Sequence, residues 1–261
     1  MTYREEIIGD ARLILGDCLE ILPTLGRVDH VICDPPYESA IHKSNKELAQ
    51  GPALRDKRNP FRAFGFDGID NIRSAVVSAA SAASSGWFIA FCTIEGIAKW
   101  ADEIGKHDGI KYKRPCLWIK PDAMPQFAGD CPGIGAEGFV TAWCGAGRSK
   151  WNAGGKKGVY THAKGGGDRH GDHPTEKPVS LMCEVVADFT VFGQTIADPF
   201  CGSGTTGVAC AKLGRKFIGI EIEPKYFDIA CRRIEEAYRQ PRLFAEPTPK
   251  PKQASLLDGA A

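Results

Sequence analysis

The sequence lacks several features that would place it in a class at once. None of its ten cysteines pair at the C-x-x-C spacing of zinc sites and redox motifs. It has no apolar run of transmembrane length and no signal-peptide core near the N-terminus. Its net charge is only +1. We therefore expect a cytoplasmic protein with no membrane span and no bound metal, in which the cysteines act as small buried hydrophobic residues. Any surface for a polyanion must be local.

The composition is that of a globular α/β protein. The chain has 261 residues, of which 43% are hydrophobic and 25% charged. Stretches with helical spacing of apolar residues separate many short apolar runs, so the sequence predicts a doubly wound, mostly parallel sheet. Seven runs are predicted as strands: 11–15, 28–33, 86–92, 116–119, 139–144, 195–197 and 216–220.

Two segments do not follow this alternation. Residues 38–66 and residues 145–172 each contain six Lys or Arg, and the second is rich in glycine with Trp151 and Tyr160 among the cations. Long loops in a compact domain are usually functional or disordered. These segments are therefore candidates for contacts with phosphates and bases, although a solvated surface explains them equally well. The proline-containing tail, 240–261, is predicted to be disordered.

A glycine-rich turn follows the predicted strand at 195–197. The run from Gly202 to Gly207 contains the pattern G-x-G-x-x-G and opens a helix, whose free N–H groups suit a carboxylate or phosphate. The next strand ends at Glu221, where an acid is placed to accept hydrogen bonds from ribose hydroxyls. Together these features predict a nucleoside cofactor. They do not distinguish NAD from S-adenosylmethionine.

A second motif, Asp34-Pro35-Pro36-Tyr37, ends the predicted strand at 28–33. It is either a proline-rich turn or a site for an exocyclic amino group. A carboxylate and a carbonyl that accept the two N–H groups draw such a nitrogen toward tetrahedral geometry, and the prolines stiffen the acceptors. A base must leave the duplex to reach such a site, and the ring of Tyr37 would then receive it.

At this point a family resemblance is evident. Asp34–Tyr37 resembles the catalytic motif of the amino-methylating DNA methyltransferases, and 198–205 resembles their cofactor motif. His173–Pro178 resembles the segment that completes the methionine pocket. Gly16–Cys18 and Gly219–Glu221 resemble the adenine-binding and ribose-binding turns. The order of the motifs resembles the β-group of this family, whose class I methyltransferase (Rossmann-like) fold is circularly permuted.

The resemblance implies a role for each motif residue. Asp34, Pro35, Pro36 and Tyr37 are the expected catalytic residues that hold the target base. The expected residues of the S-adenosylmethionine site are Asp17, Cys18, Thr175, Lys177, Asp198, Phe200, Gly202, Ser203, Gly204, Thr205 and Glu221. Helix capping is the alternative interpretation of Thr175, and a plain turn is the alternative for Asp17.

The resulting prediction is a methyltransferase domain at 1–239 with recognition insertions near 38–66 and 145–172. Its sheet has seven strands, and the resemblance implies that the strand at 139–144 inserts antiparallel. The reaction is methyl transfer to N6 of adenine in double-stranded DNA by base flipping, and a homodimer is implied. Cytosine N4 is the nearest alternative target. An NAD-dependent dehydrogenase would leave the motif at Asp34 unused, and an inactive DNA-binding module would leave both motifs unused.

Overall fold

The computed structural model describes residues 3–37, 69–125, 127, 129, 131–165 and 176–240. The predicted insertion at 38–66 and residues 241–261 of the predicted tail lie outside this described part. The described strands are β1 (Arg4–Ile8), β2 (Ala11–Leu15), β3 (His30–Cys33), β4 (Trp87–Cys92), β5 (Lys111–Ile119), β6 (Ala136–Trp143), β7 (Val159–Thr161), β8 (Thr195–Asp198) and β9 (Lys216–Glu221). The described α-helices are α1 (Cys18–Ile21), α2 (Arg73–Ala83), α3 (Gly96–Ile104), α4 (Val179–Phe189), α5 (Thr205–Leu213) and α6 (Pro224–Arg239).

The nine described strands form one sheet in the order β1-β2-β9-β8-β3-β4-β6-β5-β7. The five strands from β2 to β4 are parallel to one another, whereas β6 runs antiparallel to both β4 and β5. The predicted doubly wound, mostly parallel sheet is therefore confirmed. The antiparallel insertion expected at 139–144 is also confirmed.

The predicted number of seven strands is wrong for the described part of the chain, because β1 and β7 are additional. The first is an edge strand that is mostly exposed, and its antiparallel pairing with β2 follows a tight turn at Gly9, where φ is +57°. The second has three residues, of which only Tyr160 is buried. Neither contains the continuous apolar run that revealed the other strands.

Helices cover both faces of the sheet. Buried residues of α4, α5 and α6 form one apolar core, and those of α1, α2 and α3 form the second core on the opposite face. All six residues of β4 and all four of β3 are buried, as expected for strands that are covered on both faces. No described helix is long and apolar enough to span a bilayer.

The predicted motifs lie together at the carboxyl ends of the parallel strands, a side of the sheet called the site edge here. The parallel strands β2, β9, β8 and β3 all point their carboxyl ends to this edge, so the loops that follow them lie side by side. Because β6 is antiparallel to β4, it begins at the same edge and brings Glu137 there. Ligands of open α/β sheets bind in the crevice outside these carboxyl ends.

Candidate active site

The carboxylate of Asp34 leaves β3 and meets a buried lysine. Oδ2 of Asp34 accepts a hydrogen bond of 2.6 Å from Nζ of Lys177, whose side chain is only 5% exposed. Oδ1 of Asp34 is buried and has no hydrogen-bond partner among the described residues. An unsatisfied buried acceptor is costly, and it marks a place where a further donor would bind.

Tyr37, three residues further on, is fixed by the same lysine and by an acid. Its hydroxyl donates to Oε2 of Glu137 at 2.5 Å and lies 2.9 Å from Nζ of Lys177. Lys177 also lies 3.3 Å from Oε2 of Glu137, and Lys120 pairs with the other oxygen of this carboxylate. The buried cluster of Asp34, Tyr37, Lys120, Glu137 and Lys177, here called the lysine–glutamate cluster, holds two cations and two carboxylates.

The charges of this cluster decide its ionisation. Burial raises the pKa of Asp34, although the ammonium of Lys177 opposes this rise. Burial acts to raise the pKa of Glu137, but the opposing effect of Lys177 and Lys120 is larger and lowers this pKa to about 2. Burial would lower the pKa of Lys177, yet Asp34 and Glu137 raise it above its ordinary value. Lys177 and Glu137 are therefore charged at neutral pH.

The glycine-rich turn lies beside this cluster, between β8 and α5. Asp198 is buried and uses both oxygens to shape the turn, since Oδ1 accepts from the N–H of Phe200 at 3.0 Å and Oδ2 from the hydroxyl of Thr206 at 2.7 Å. Gly202 and Gly204 have φ of +53° and +83°, a region that favours glycine. A Cβ on Gly204 would lie 2.9 Å from that of Ala230, whereas a Cβ on Gly202 would point into nearly open space.

Glu221 ties the ends of two neighbouring strands together. Its Oε2 accepts from the N–H of Gly202 at 2.7 Å and its Oε1 from the N–H of Glu223 at 2.9 Å. Its backbone carbonyl accepts from Gly16, and the next residue, Asp17, caps α1 by accepting from the N–H of Leu19. The structure therefore brings the predicted adenine, ribose and methionine turns to one edge of the sheet. Each carboxylate oxygen retains a second lone pair for a ligand.

An arginine that the sequence analysis did not identify holds the glycine-rich turn in place. Arg233 on α6 is buried, and it donates to the backbone oxygen and hydroxyl of Ser203 at 2.6 and 2.7 Å and to the hydroxyl of Thr205 at 3.3 Å. It also forms a buried ion pair with Glu176, next to Lys177. The signal was present in the sequence, because Arg233 lies on the apolar face of α6 between Ala230 and Ile234.

The described site residues form two groups, one around the catalytic motif and one around the cofactor turns. Pro35 is buried and Pro36 is half-buried within the catalytic motif, while Cys18 is buried at the start of α1 and Phe200 lies in the turn. Lys177, expected near the cofactor, has its ammonium against the catalytic motif, and Thr175 lies outside the described residues. Glu137 and Lys120 were also missed. An acid at the start of an apolar strand was their only signal, and its meaning depends on the antiparallel pairing of β6.

The second predicted insertion needs a correction. Tyr160 is 1% exposed and its hydroxyl donates to Asp188 on α4 at 2.9 Å, while the ring of Trp151 packs on Phe189. Lys156 pairs with Glu184 and Asp188 on the same helix. The burial of Tyr160 excludes its ring as a contact for a base, and Trp151 and Lys156 are engaged with α4. Their interleaving with glycine suggested a loop, but they are the residues that hold the segment onto α4.

The described part of the second insertion runs from the side of the sheet opposite the site to the site edge. β6 ends at the edge opposite the site, and the carbonyl of Lys150 there accepts from the indole of Trp87 at the start of β4. β7 then runs parallel to β5 and returns the chain toward the site, where the backbone N–H groups of Lys164 and Gly165 donate to Asp122. Of the described part of this insertion, only the residues after β7 reach the site edge.

Comparison with known proteins agrees with this arrangement. The model of the N6/N4 methyltransferase family, described as DNA methylase, matches residues 141–232. Over 65 residues the chain is 51% identical to the type II methyltransferase M2.DpnII of Streptococcus pneumoniae, a stretch that is 25% of this chain and 24% of that relative. The chain thus matches about a quarter of the length of this curated relative.

Solved structures resemble nearly the whole chain. The crystal structure of the M1.HpyAVI–SAM complex has a TM-score of 0.63 and 26% identity, and the match covers 86% of this chain and 98% of that one. The PvuII DNA methyltransferase, named as cytosine-N4-specific, has a TM-score of 0.66 and 16% identity, and the match covers 89% and 92%. The second likeness concerns the fold alone. The chain has a class I methyltransferase fold, and these findings show that it is similar to the amino-methylating DNA methyltransferases.

Proposed function

We propose that this protein transfers a methyl group from S-adenosylmethionine to N6 of adenine in double-stranded DNA. The observation that carries this proposal is the free acceptor on Asp34. Oδ1 is buried at the carboxyl edge of the sheet with no partner among the described residues, while Oδ2 is occupied by Lys177. An acceptor held open in this way suits one N–H of an exocyclic amino group.

The turns around β8 and β9 fit the cofactor. The open space beside Gly202 allows a ligand to approach the backbone closely, and the N-terminus of α5 lies just beyond it. Asp17 and Glu221 offer acceptors at the two neighbouring strand ends for the adenine and ribose. When bound, S-adenosylmethionine supplies an electrophilic methyl group on a sulfonium, and its sulfur takes the electron pair of the broken bond.

The residues of this chain then act by positioning. Oδ1 of Asp34 and the carbonyl of Pro35 accept the two amino N–H groups, so that the nitrogen lone pair points toward the methyl carbon. Tyr37 provides a stacking face for the flipped base, a contact worth about 1–3 kcal/mol. The N–C bond forms by in-line displacement, and the methylated nitrogen then loses a proton, which Asp34 is placed to accept.

DNA contacts are proposed for the two insertions, 38–66 and the part of 145–172 that follows β7. The exposed, basic side chain of Lys164 lies in the described portion of the second. A cytoplasmic location and a homodimer accompany the proposal as expectations from the family.

The test is to identify the methylated nucleoside. The protein is incubated with radiolabelled S-adenosylmethionine and mixed-sequence duplex DNA, the DNA is hydrolysed, and the nucleosides are separated. Label in N6-methyl-2′-deoxyadenosine is expected, and the Asp34→Ala variant serves as the background control. Label in N4-methylcytosine would replace the adenine assignment while retaining the role of Asp34. Label in 5-methylcytosine, or none in DNA, would overturn the proposed function.

A further inference from the structure

Glu137 occupies a position outside every motif that the sequence revealed. It lies at the start of β6, its side chain is 15% exposed, and its carboxylate contacts Tyr37, Lys120 and Lys177. Burial of a carboxylate is unfavourable unless it is paired and hydrogen-bonded. Here both oxygens are used, and two of the three partners are the residues that surround Asp34.

The donors in this cluster have a fixed direction. Tyr37 donates its only proton to Oε2 of Glu137, so its oxygen accepts from Lys177. Lys177 has three protons, and the third partner after Tyr37 and Glu137 is Oδ2 of Asp34. Glu137 therefore determines where the phenol points and limits Lys177 to a single oxygen of Asp34. Oδ1 stays open as a result.

The charges lead to the same conclusion. With Glu137 ionised, Lys120 and Lys177 are balanced by Glu137 and Asp34. Without it, two buried cations face Asp34 alone, and the phenol of Tyr37 loses its acceptor. Breaking a buried ion pair by removing one partner leaves an uncompensated charge, and the remaining groups rearrange or neutralise.

We propose that Glu137 is a positioning residue for methyl transfer, acting through Lys177 and Tyr37 to keep Oδ1 of Asp34 and the tyrosine ring in the geometry that receives the target base. The inference rests on the proposed function. Lys120 pairs with Oε1 of Glu137, the oxygen that does not contact Tyr37. The ammonium of Lys120 also lies 4.7 Å from the centroid of the Trp118 ring, so its position is fixed independently of the cluster.

The test compares Glu137→Gln with a matched control, Glu103→Gln. Glu103 on α3 is also 15% exposed, is paired with Lys106, and has a pKa lowered to about 2, chiefly by that lysine. Single-turnover methyl transfer, equilibrium binding of S-adenosylmethionine and urea unfolding are measured for both. Glu137→Gln should slow transfer by about 100-fold, the loss associated with misplacement of reacting groups. It should leave cofactor binding close to wild-type, whereas Glu103→Gln should change neither.

The pH profile separates positioning from simple loss of stability. The groups that face Lys177 are Asp34, Tyr37 and Glu137, with Lys120 behind the last. Glu137 raises the pKa of Lys177, so its removal should lower that pKa. Transfer by Glu137→Gln should then fall at a lower pH than transfer by the wild type as pH rises. A transfer rate within about threefold of wild type would overturn the proposal, because an ordinary surface substitution has an effect of this size.

A second readout does not require activity. The Nζ resonance of Lys177, assigned with Lys177→Met, is followed by ¹⁵N NMR through an alkaline titration. Its pKa should fall in Glu137→Gln and not in Glu103→Gln, and an unchanged value would overturn the positioning role. If wild-type protein methylates no DNA although this pKa shifts as expected, the proposed function fails while the coupling of Glu137 to Lys177 stands.

Discussion

Lys177 contacts one oxygen of Asp34 at 2.6 Å and leaves the other oxygen without a partner in the described part of the chain. The pair joins β3 to the segment before α4, two stretches more than 140 residues apart. Because Lys177 satisfies only Oδ2, it holds the carboxylate in place without blocking the acceptor. The catalytic motif is therefore complete only when the segment at 176–178 lies against it.

The first prediction concerns this asymmetry. Asp34→Asn should lower the rate of methyl transfer by at least about 100-fold, because the amide weakens the acceptor and loses the charge that pairs with Lys177. Binding of S-adenosylmethionine should stay close to wild-type, as Asp34 is assigned to the target base. Equilibrium dialysis and single-turnover assays check both, with the exposed Asp102→Asn as control. A collapse of cofactor affinity in a folded Asp34→Asn protein would contradict the assignment.

The second prediction concerns the buried pair of Arg233 and Glu176. Arg233→Met should lower the free energy of unfolding by about 3–5 kcal/mol, because it breaks the buried ion pair with Glu176 by removing one partner. It should also weaken cofactor binding, since Ser203 and Thr205 lose the donors that hold the glycine turn.

The double variant Arg233→Met/Glu176→Met is the matched control for this pair. Removing both charges leaves an apolar contact, so urea unfolding should show that much of the stability lost in Arg233→Met returns. Cofactor binding should stay weak, because the donors to the turn are still missing. If the double variant is less stable than the single one, the ion pair is not the source of the loss.

The sequence allowed the parallel core to be predicted because its strands are continuous apolar runs, and β3, β4, β8 and β9 were all found in this way. It also located Asp34 and Asp198, since each directly follows one of the predicted apolar runs. Edge strands lack this signal: β1 is mostly charged and β7 has three residues. Their presence depends on pairing with β2 and β5, which no local pattern records.

The contacts between distant segments were also beyond sequence reasoning. Glu137 and Lys120 became part of the site only through the antiparallel register of β6, and the contact of Lys177 with Asp34 joins segments that are 143 residues apart in the sequence. Trp151 and Tyr160 show the opposite error. Glycine and lysine around them suggested a surface loop, but burial against α4 determines where they lie. The circular permutation implied by the motif order remains a prediction.

The third prediction concerns pH. Burial raises the pKa of Asp198 to about 7, although Thr206 and Phe200 donate to its carboxylate and oppose the rise. Because this pKa is higher in the folded than in the unfolded state, the folded state binds more protons between about pH 4 and 7. The contribution of Asp198 to stability should therefore decline as pH rises through this window, by up to about 1.4 kcal/mol per pH unit.

Asp198→Asn is the variant that isolates this contribution. The amide keeps an oxygen for one of the two donors and does not titrate. The difference in unfolding free energy between variant and wild type should shift in favour of the variant as pH rises from 4 to 7. Urea titrations at several pH values measure it. A difference that does not change with pH would show that Asp198 has the same pKa in the folded and unfolded states.

The last prediction concerns DNA affinity and uses the change of edge within residues 145–165. Lys164 is exposed where the chain returns to the site edge after β7, and Lys150 is exposed at the opposite edge, beside the start of β4. A cation that neutralises a phosphate releases counterions, so each contact adds about 0.9 to the slope of log affinity against log salt. Lys164→Ala should weaken binding to duplex DNA and reduce that slope by the amount of about one contact, whereas Lys150→Ala should leave both the affinity and the slope unchanged.

Fluorescence anisotropy with labelled duplexes over a range of salt concentrations measures the two variants in parallel. Both side chains are exposed and have the same charge, and they lie at opposite edges of the sheet. Equal losses would mean that DNA is bound through overall charge, and a loss in Lys150→Ala alone would place the DNA on the opposite edge from Asp34.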